Sequence, residues 1–195
     1  MAEIRSTLDM VMERAARMAA RAEDIPADQE TEQRGMRLVA EFLEGKQSDL
    51  ADLLGQEAPA DQKAMRRGMA KALLRNIVLP RDEFLMKSSS AAITGLLDLS
   101  GQAGDVGSVC TELQQLLEQY SQHKEQTRQQ LDDAIRAQLM QQLQAKMGTD
   151  EELPAIDPTM HPQYQKEWET AKSNLNEQYT QAFDQRKEIL MQRFS

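Results

Sequence analysis

The chain has 195 residues and a net charge of −9. Hydrophobic residues make up 40% of the chain, and aromatic residues only 4%. An acidic chain disfavours non-specific binding to nucleic acid, which depends on clustered Lys and Arg side chains. Val and Ile are scarce and no clean alternation of apolar and polar residues occurs, so strands are disfavoured and the composition predicts an all-α protein.

The first predicted element is an amphipathic helix over residues 4–22, with Ser6 and Asp9 resembling a capping box. Its polar face carries Arg14, Arg17 and Arg21. Such a face permits docking onto a membrane surface, but no bulky aromatic side chain is present to insert. The pattern therefore favours packing onto this protein's own body or onto a second subunit.

The opening residues, Ala-Glu-Ile-Arg-Ser-Thr-Leu-Asp-Met-Val-Met-Glu from Ala2 to Glu13, resemble the start of an uncharacterised bacterial family of helical proteins. The resemblance covers these dozen residues. It implies a bacterial cytoplasmic protein and carries no functional site.

The rest of the first half predicts a body of short helices over residues 1–100. Prolines and glycines mark the ends of these helices. The predicted segments are 28–44 before Gly45, 48–55, 62–79 before Pro80, and 82–99 with a break at the serines 88–90.

Two properties of this body suggest further functions. The helix over 62–79 presents five basic residues, which makes it the one candidate for nucleic-acid binding, although a solvated charged face is the simpler interpretation. The Met-rich helices offer an alternative function, a small-molecule-binding regulatory domain.

A glycine-rich segment over residues 101–108 predicts a hinge, and a helical hairpin is predicted over 109–195. The outgoing helix spans Val109–Gly148, with Thr111 and Gln114 as its capping box, and the returning helix spans Pro162–Phe194. The loop at 149–161 contains three prolines and four acidic residues. The predicted fold is thus an N-terminal body of short helices followed by a long antiparallel, coiled-coil-like hairpin.

The outgoing helix has a polar interval from Ser121 to Gln130 that contains no aliphatic side chain. A two-helix seam loses hydrophobic stabilisation there, so we expect the interval to be solvated or paired through glutamine amides. The alternative is a polar surface for a partner.

Apolar side chains recur at helical spacing on both predicted arms. Such a stripe is typical of a packed core, and the alternative is a ridge or groove that receives another protein. The candidate interaction residues are Leu113, Leu117, Tyr164, Trp168, Tyr179 and Phe183.

Catalytic, cofactor and metal sites are not predicted. The two histidines, His123 and His161, lack the spacing of metal ligands, and the lone Cys110 fits a reducing compartment. A nucleophilic Cys110 would make the protein an enzyme, but a buried thiol is the commoner role.

We therefore expect a non-enzymatic interaction or scaffold protein whose hairpin stripe binds a protein partner or a second copy. A homo-oligomer, with a dimer favoured, is the expected assembly. No apolar run long enough to span a membrane and no signal-peptide core occur, so we expect a cytoplasmic protein without a membrane partner. The acidic charge disfavours a nucleic-acid partner.

Overall fold

The computed structural model describes residues 10, 12–14, 27–47, 49–147 and 157–195. All regular secondary structure in these residues is helical, and they contain no strand, as predicted. The helices are α1 (Ala27–Leu43), α2 (Leu50–Gly55), α3 (Gln62–Asn76), α4 (Glu83–Leu99), α5 (Gly104–Met147) and α6 (Tyr164–Arg193), with a 3-10 turn at Pro158–Met160. Most of the predicted helix over 4–22 and most of the loop at 149–161 lie outside the described residues.

The chain divides into two compact units, Met1–Ala72 and Leu73–Ser195. The domain boundary predicted at the glycine-rich segment, residues 101–108, stays a prediction. In the structure, α4 belongs to the same compact unit as the hairpin helices, because it packs against α5.

In the first unit, helices α1 and α3 cross at two glycines. A Cβ atom on Gly68 would lie 2.2 Å from the carbonyl oxygen of Glu32, and one on Gly35 would lie 2.6 Å from that of Met65. Only glycine permits backbones to approach this closely. The carboxylate of Glu32 then pairs with Arg67 and, at 2.6 Å, with Lys71.

Local signals in the sequence explain several helix ends. Helix α1 ends at Leu43, and Gly45 closes its C-terminus: its φ of 76° suits glycine, and Lys46 N–H donates to the Glu41 carbonyl as in a Schellman motif. Asp49 caps α2 by accepting hydrogen bonds from the backbone N–H groups of Ala51 and Asp52.

Helix α4 runs without the break predicted at the serines 88–90. Ser89 is fully buried, and its hydroxyl accepts a hydrogen bond from the Val78 N–H at 3.1 Å and lies 3.2 Å from the Asn76 carbonyl oxygen. This serine thus satisfies backbone groups where α3 ends, which removes the cost of burying it inside a helix.

Helices α5 and α6 form the predicted antiparallel hairpin. Partners run in opposite directions along the two helices: Asp105 pairs with Arg193, Glu112 with Arg186, Tyr120 with Asn176 and Asp132 with Tyr164. The buried Pro158 belongs to the 3-10 turn that packs on α5 and leads into α6.

The start of α5 differs from the prediction. The helix begins at Gly104, inside the segment predicted as a hinge, rather than at Val109. Thr111 is therefore an interior residue, and its hydroxyl donates to the Gly107 carbonyl at 2.9 Å instead of capping a helix. The tight turn before α5 is confined to Gly101 and Gln102, both of which have positive φ.

Candidate interaction site

The predicted apolar stripe forms the seam between α5 and α6. Leu113 and Leu117 are fully buried, and Tyr164, Tyr179 and Phe183 expose only 3–8% of their surface. Trp168 alone among the six candidate residues is half-buried. The structure thus brings the candidates together along one seam. Their role as an interface stays a prediction, and in this conformation only Trp168 offers appreciable free area for it.

Most of the polar interval of α5 is exposed, which agrees with the expectation of a solvated interval, and tyrosine hydroxyls within and beside it bridge α5 and α6. Tyr120 donates to Asn176 Oδ1 at 2.8 Å, and the Tyr179 hydroxyl lies 2.6 Å from His123 Nδ1. Tyr164 donates to Asp132 Oδ1 at 2.6 Å, and this bond raises the pKa of the Tyr164 hydroxyl above its usual range. All three tyrosines of the chain therefore bridge the two helices.

A cleft of about 400 Å³ lies beside this interval. Its walls come from the segment entering α4, from the polar interval of α5 and from the second turn of α6. The lining residues are Pro80, Arg81, Asp82, Glu83, Met86, Ser121, Lys124, Glu125, Arg128 and Trp168. We call this the Trp168 cleft.

Two hydrogen bonds of lining residues hold the segments around the Trp168 cleft. Asp82 caps α4 by accepting from the Leu85 N–H at 2.9 Å, which fixes where the helix begins. The Lys124 ammonium donates to the Arg81 carbonyl at 3.1 Å and so ties α5 to the segment before α4. A hydrogen bond between two lining residues thus connects the segment before α4 with the middle of α5.

Apolar surface accompanies this charged lining. The half-buried Trp168 and Met86 contribute to the walls, while Phe84, one residue after the lining Glu83, exposes 77% of its surface. The cleft thus combines an aromatic anchor point with charged groups.

One wall of the cleft was predicted from the sequence and the other was not. The polar interval Ser121–Gln130, for which a partner surface was the alternative interpretation, includes the lining residues Lys124, Glu125 and Arg128. The break at Pro80 and the cap at Asp82 were visible in the sequence as helix boundaries. Nothing in the periodicity of α4 indicated that its first turn would lie against the middle of α5, because that placement depends on tertiary packing.

The structure gives less support to a catalytic cysteine, a nucleic-acid surface or a metal site. Cys110 is fully buried, and burial raises the pKa of its thiol to about 11. Of the basic residues on α3, Arg67 and Lys71 are engaged by Glu32, which leaves Lys63, Arg66 and Arg75 exposed. Across the described ranges no three His, Cys, Asp or Glu side chains are grouped to hold a metal ion. Nor does this part of the chain contain a helix long and apolar enough to cross a membrane.

An all-α architecture with a long antiparallel hairpin at the C-terminal end describes the class of protein. A family model matches residues 51–192, and the chain therefore belongs to the family of unknown function DUF6657. Membership of an uncharacterised family, predicted from the first dozen residues, is confirmed over a different part of the chain. No curated protein and no solved structure matches the chain. A bacterial origin and a cytoplasmic location stay predictions.

Proposed function

We propose that this protein is a non-enzymatic interaction or scaffold protein that binds a partner protein through the Trp168 cleft. The observation that carries the proposal is the half-buried Trp168 in the wall of a recess that also contains arginine side chains. Trp and Arg dominate the energetic centres of protein interfaces because they combine large contact area with directed polar groups.

The cleft is a better interface than the seam because of burial. Leu113, Leu117 and Phe183 already place their surface inside the hairpin, and that burial stabilises the fold itself. Exposing them to a partner would require the helices to separate. Trp168 contributes to a partner's contact area with no such rearrangement.

Preorganisation supports a scaffold role. The three tyrosine hydroxyl bonds fix the register of α5 against α6, and the bond from Lys124 holds α5 to the segment before α4. Walls that are fixed before binding lower the entropic cost of association. The hairpin would then present one rigid recess to its partner.

The chemistry of Cys110 supports the non-enzymatic part of the proposal. A thiol with a pKa of about 11 is protonated at neutral pH, and the thiol is a far weaker nucleophile than the thiolate. This protonation state disfavours a nucleophilic role for Cys110.

A small-molecule-binding regulatory domain is the second candidate. The Trp168 cleft has a volume in the range of ligand pockets, which are roughly 300–1,000 Å³. The Met-rich helices of the first half favour it less, since Met65 and Met69 are fully buried. Saturable thermal stabilisation by a metabolite, abolished by Trp168→Ala, would favour this function over partner binding.

Affinity capture from the native cell tests the leading proposal. Tagged wild-type protein is compared with Trp168→Ala and with Ile189→Ala, which removes an apolar side chain that is 54% exposed on the same helix. We expect Trp168→Ala to reduce recovery of the captured protein by at least about tenfold. Ile189→Ala should recover it fully, and circular dichroism should show equal helix content. Equal recovery with both variants would contradict the proposal.

A further inference from the structure

We infer that the side-chain amine of Lys187 is a modification site, at which an activated acyl donor, an acyl phosphate or an acyl thioester, forms an amide. Lys187 lies on α6, outside the lining of the Trp168 cleft. The modification therefore concerns the hairpin itself, separately from the binding of a partner.

The Lys187 side chain is half-buried on the buried side of α6. Phe183, one turn before it, is 3% exposed, and Leu190, one turn after it, is 1% exposed. Residues three and four apart share one face of a helix, so Lys187 lies on the same side of α6 as these two seam residues. Withdrawing an ammonium group from water disfavours its charged form unless a partner compensates.

Lys187 has no such partner within the described parts of the chain, where it forms neither a salt bridge nor a side-chain hydrogen bond. Two acidic residues of α5 flank its position in the hairpin register, and both are engaged by arginines: Glu112 by Arg186, and Asp105 by Arg193. The run of α5 between these two acids contains no charged side chain. The burial of the Lys187 ammonium is thus uncompensated from the neighbouring helix.

The titration of Lys187 agrees with this geometry. Burial lowers the pKa of the Lys187 ammonium below its usual range, and the carboxylate of Asp184, one turn earlier, opposes the shift without cancelling it. The uncharged run of α5 has one titratable side chain, Cys110, which is fully buried and protonated at neutral pH because its pKa is about 11. A larger share of Lys187 is therefore neutral amine than of an ordinary exposed lysine, and the neutral amine is the nucleophile.

The reaction needs no reagent besides the acyl donor. The Lys187 amine attacks the acyl carbonyl, a C–N amide bond forms, and the C–O bond to phosphate or the C–S bond to the thiol breaks. The phosphate or thiolate leaves with the electron pair, and the proton lost from nitrogen passes to water. Acylation removes the charge, so the modified side chain no longer places an unpaired ammonium against the seam.

Site-resolved mass spectrometry tests the reactivity of this lysine. The folded full-length protein is incubated at mildly alkaline pH with acetyl phosphate or, in a second arm, with the small thioester S-acetyl-N-acetylcysteamine. We expect Lys187 to be acetylated severalfold faster than Lys166, an exposed lysine of the same helix, and the preference to vanish in guanidinium chloride. The donor that shows this preference identifies the source of the acyl group. Equal rates at the two lysines with both donors would overturn the inference.

Thermal unfolding tests the physical cause of the reactivity. Lys187→Met keeps an unbranched side chain of similar length and removes the charge, as acylation does. We expect it to raise the midpoint of unfolding, whereas Lys166→Met, the control at an exposed position, should leave the midpoint nearly unchanged. A midpoint for Lys187→Met no higher than that of the control would also overturn the inference. Both measurements use the free protein, so they are independent of the capture experiment that tests partner binding.

Discussion

Tyr120 of α5 and Tyr179 of α6 meet edge to face across the hairpin, with ring centroids 5.4 Å apart and ring planes inclined by 73°. The geometry places the positive edge of one ring against the negative face of the other, which stabilises aromatic pairs. Each hydroxyl also bonds to the opposite helix, at Asn176 and His123 respectively. This pair joins the buried leucine seam to the polar interval of α5.

Removing one of these hydroxyls should weaken the hairpin measurably. Tyr120→Phe keeps the ring contact but leaves Asn176 Oδ1 without its donor, and we expect a loss of about 1 kcal/mol in unfolding free energy. Urea denaturation followed by circular dichroism measures it. Thr170→Val, which removes an exposed hydroxyl within α6, is the control and should cost less than about 0.5 kcal/mol. Unchanged stability in Tyr120→Phe would show that the cross-helix bond contributes nothing.

Truncating the seam and truncating the cleft should have different effects on stability. Phe183 is 3% exposed, so Phe183→Ala should cost about 3–5 kcal/mol in unfolding free energy. Trp168 is half-buried. Trp168→Ala should therefore cost roughly half as much, because the substitution removes less buried apolar surface than Phe183→Ala does. Thermal unfolding of the two variants provides the comparison. Equal losses would indicate that Trp168 belongs to the core rather than to a binding surface.

The glycine crossing of α1 and α3 should not tolerate a methyl group. In Gly68→Ala the new Cβ would meet backbone atoms of Glu32, the nearest at 2.2 Å, and a backbone cannot move aside as a flexible side chain can. We expect a loss of at least about 2 kcal/mol in unfolding free energy. Gly107→Ala is the matched control, since its Cβ would have one ordinary contact at 3.8 Å. It should be neutral or stabilising by about 0.5–1 kcal/mol. Equal behaviour of the two variants would argue against the close crossing.

The ion cluster at this crossing should make stability depend on acid pH. Hydrogen bonding from Lys71, and then from Arg67, holds the pKa of the Glu32 carboxyl below its usual range. A lowered pKa in the folded state contributes stability that is present above the ordinary value near 4.3 and is lost as pH falls through the folded pKa. Glu32→Gln should therefore be less stable than wild type at pH 7, and the difference should shrink below pH 4. A constant difference across that window would exclude the linkage.

Local signals made much of the fold predictable. The absence of strands from the described residues, the glycine stop after α1 and the two hairpin helices follow from composition, capping and helical periodicity, each of which acts over a few turns. The start of α5 was missed because Thr111 has the chemistry of a cap, whereas glycines at the true start leave no positive signal. The continuity of α4 was missed because Ser89 is satisfied by backbone groups more than ten residues away.

The candidate site was less predictable for the same reason. Periodicity identified Leu113, Leu117 and Phe183 as apolar, but a stripe looks identical whether a neighbouring helix or a partner covers it. The pairing of Tyr120 with Asn176 and of Tyr164 with Asp132 depends on the hairpin register, which no single helix encodes. The Trp168 cleft likewise exists only once α4, α5 and α6 are assembled.

Site-specific photo-crosslinking in the native cell shows whether a partner protein contacts the surface around the Trp168 cleft. Phe84, which is 77% exposed and follows the lining residue Glu83, is replaced by the aromatic crosslinker p-benzoylphenylalanine, and Ile189 is replaced in a matched strain. We expect a discrete protein adduct from position 84 that disappears in the Trp168→Ala background. Position 189 should give no adduct. The same adduct pattern from both positions, or no adduct from position 84, would contradict it.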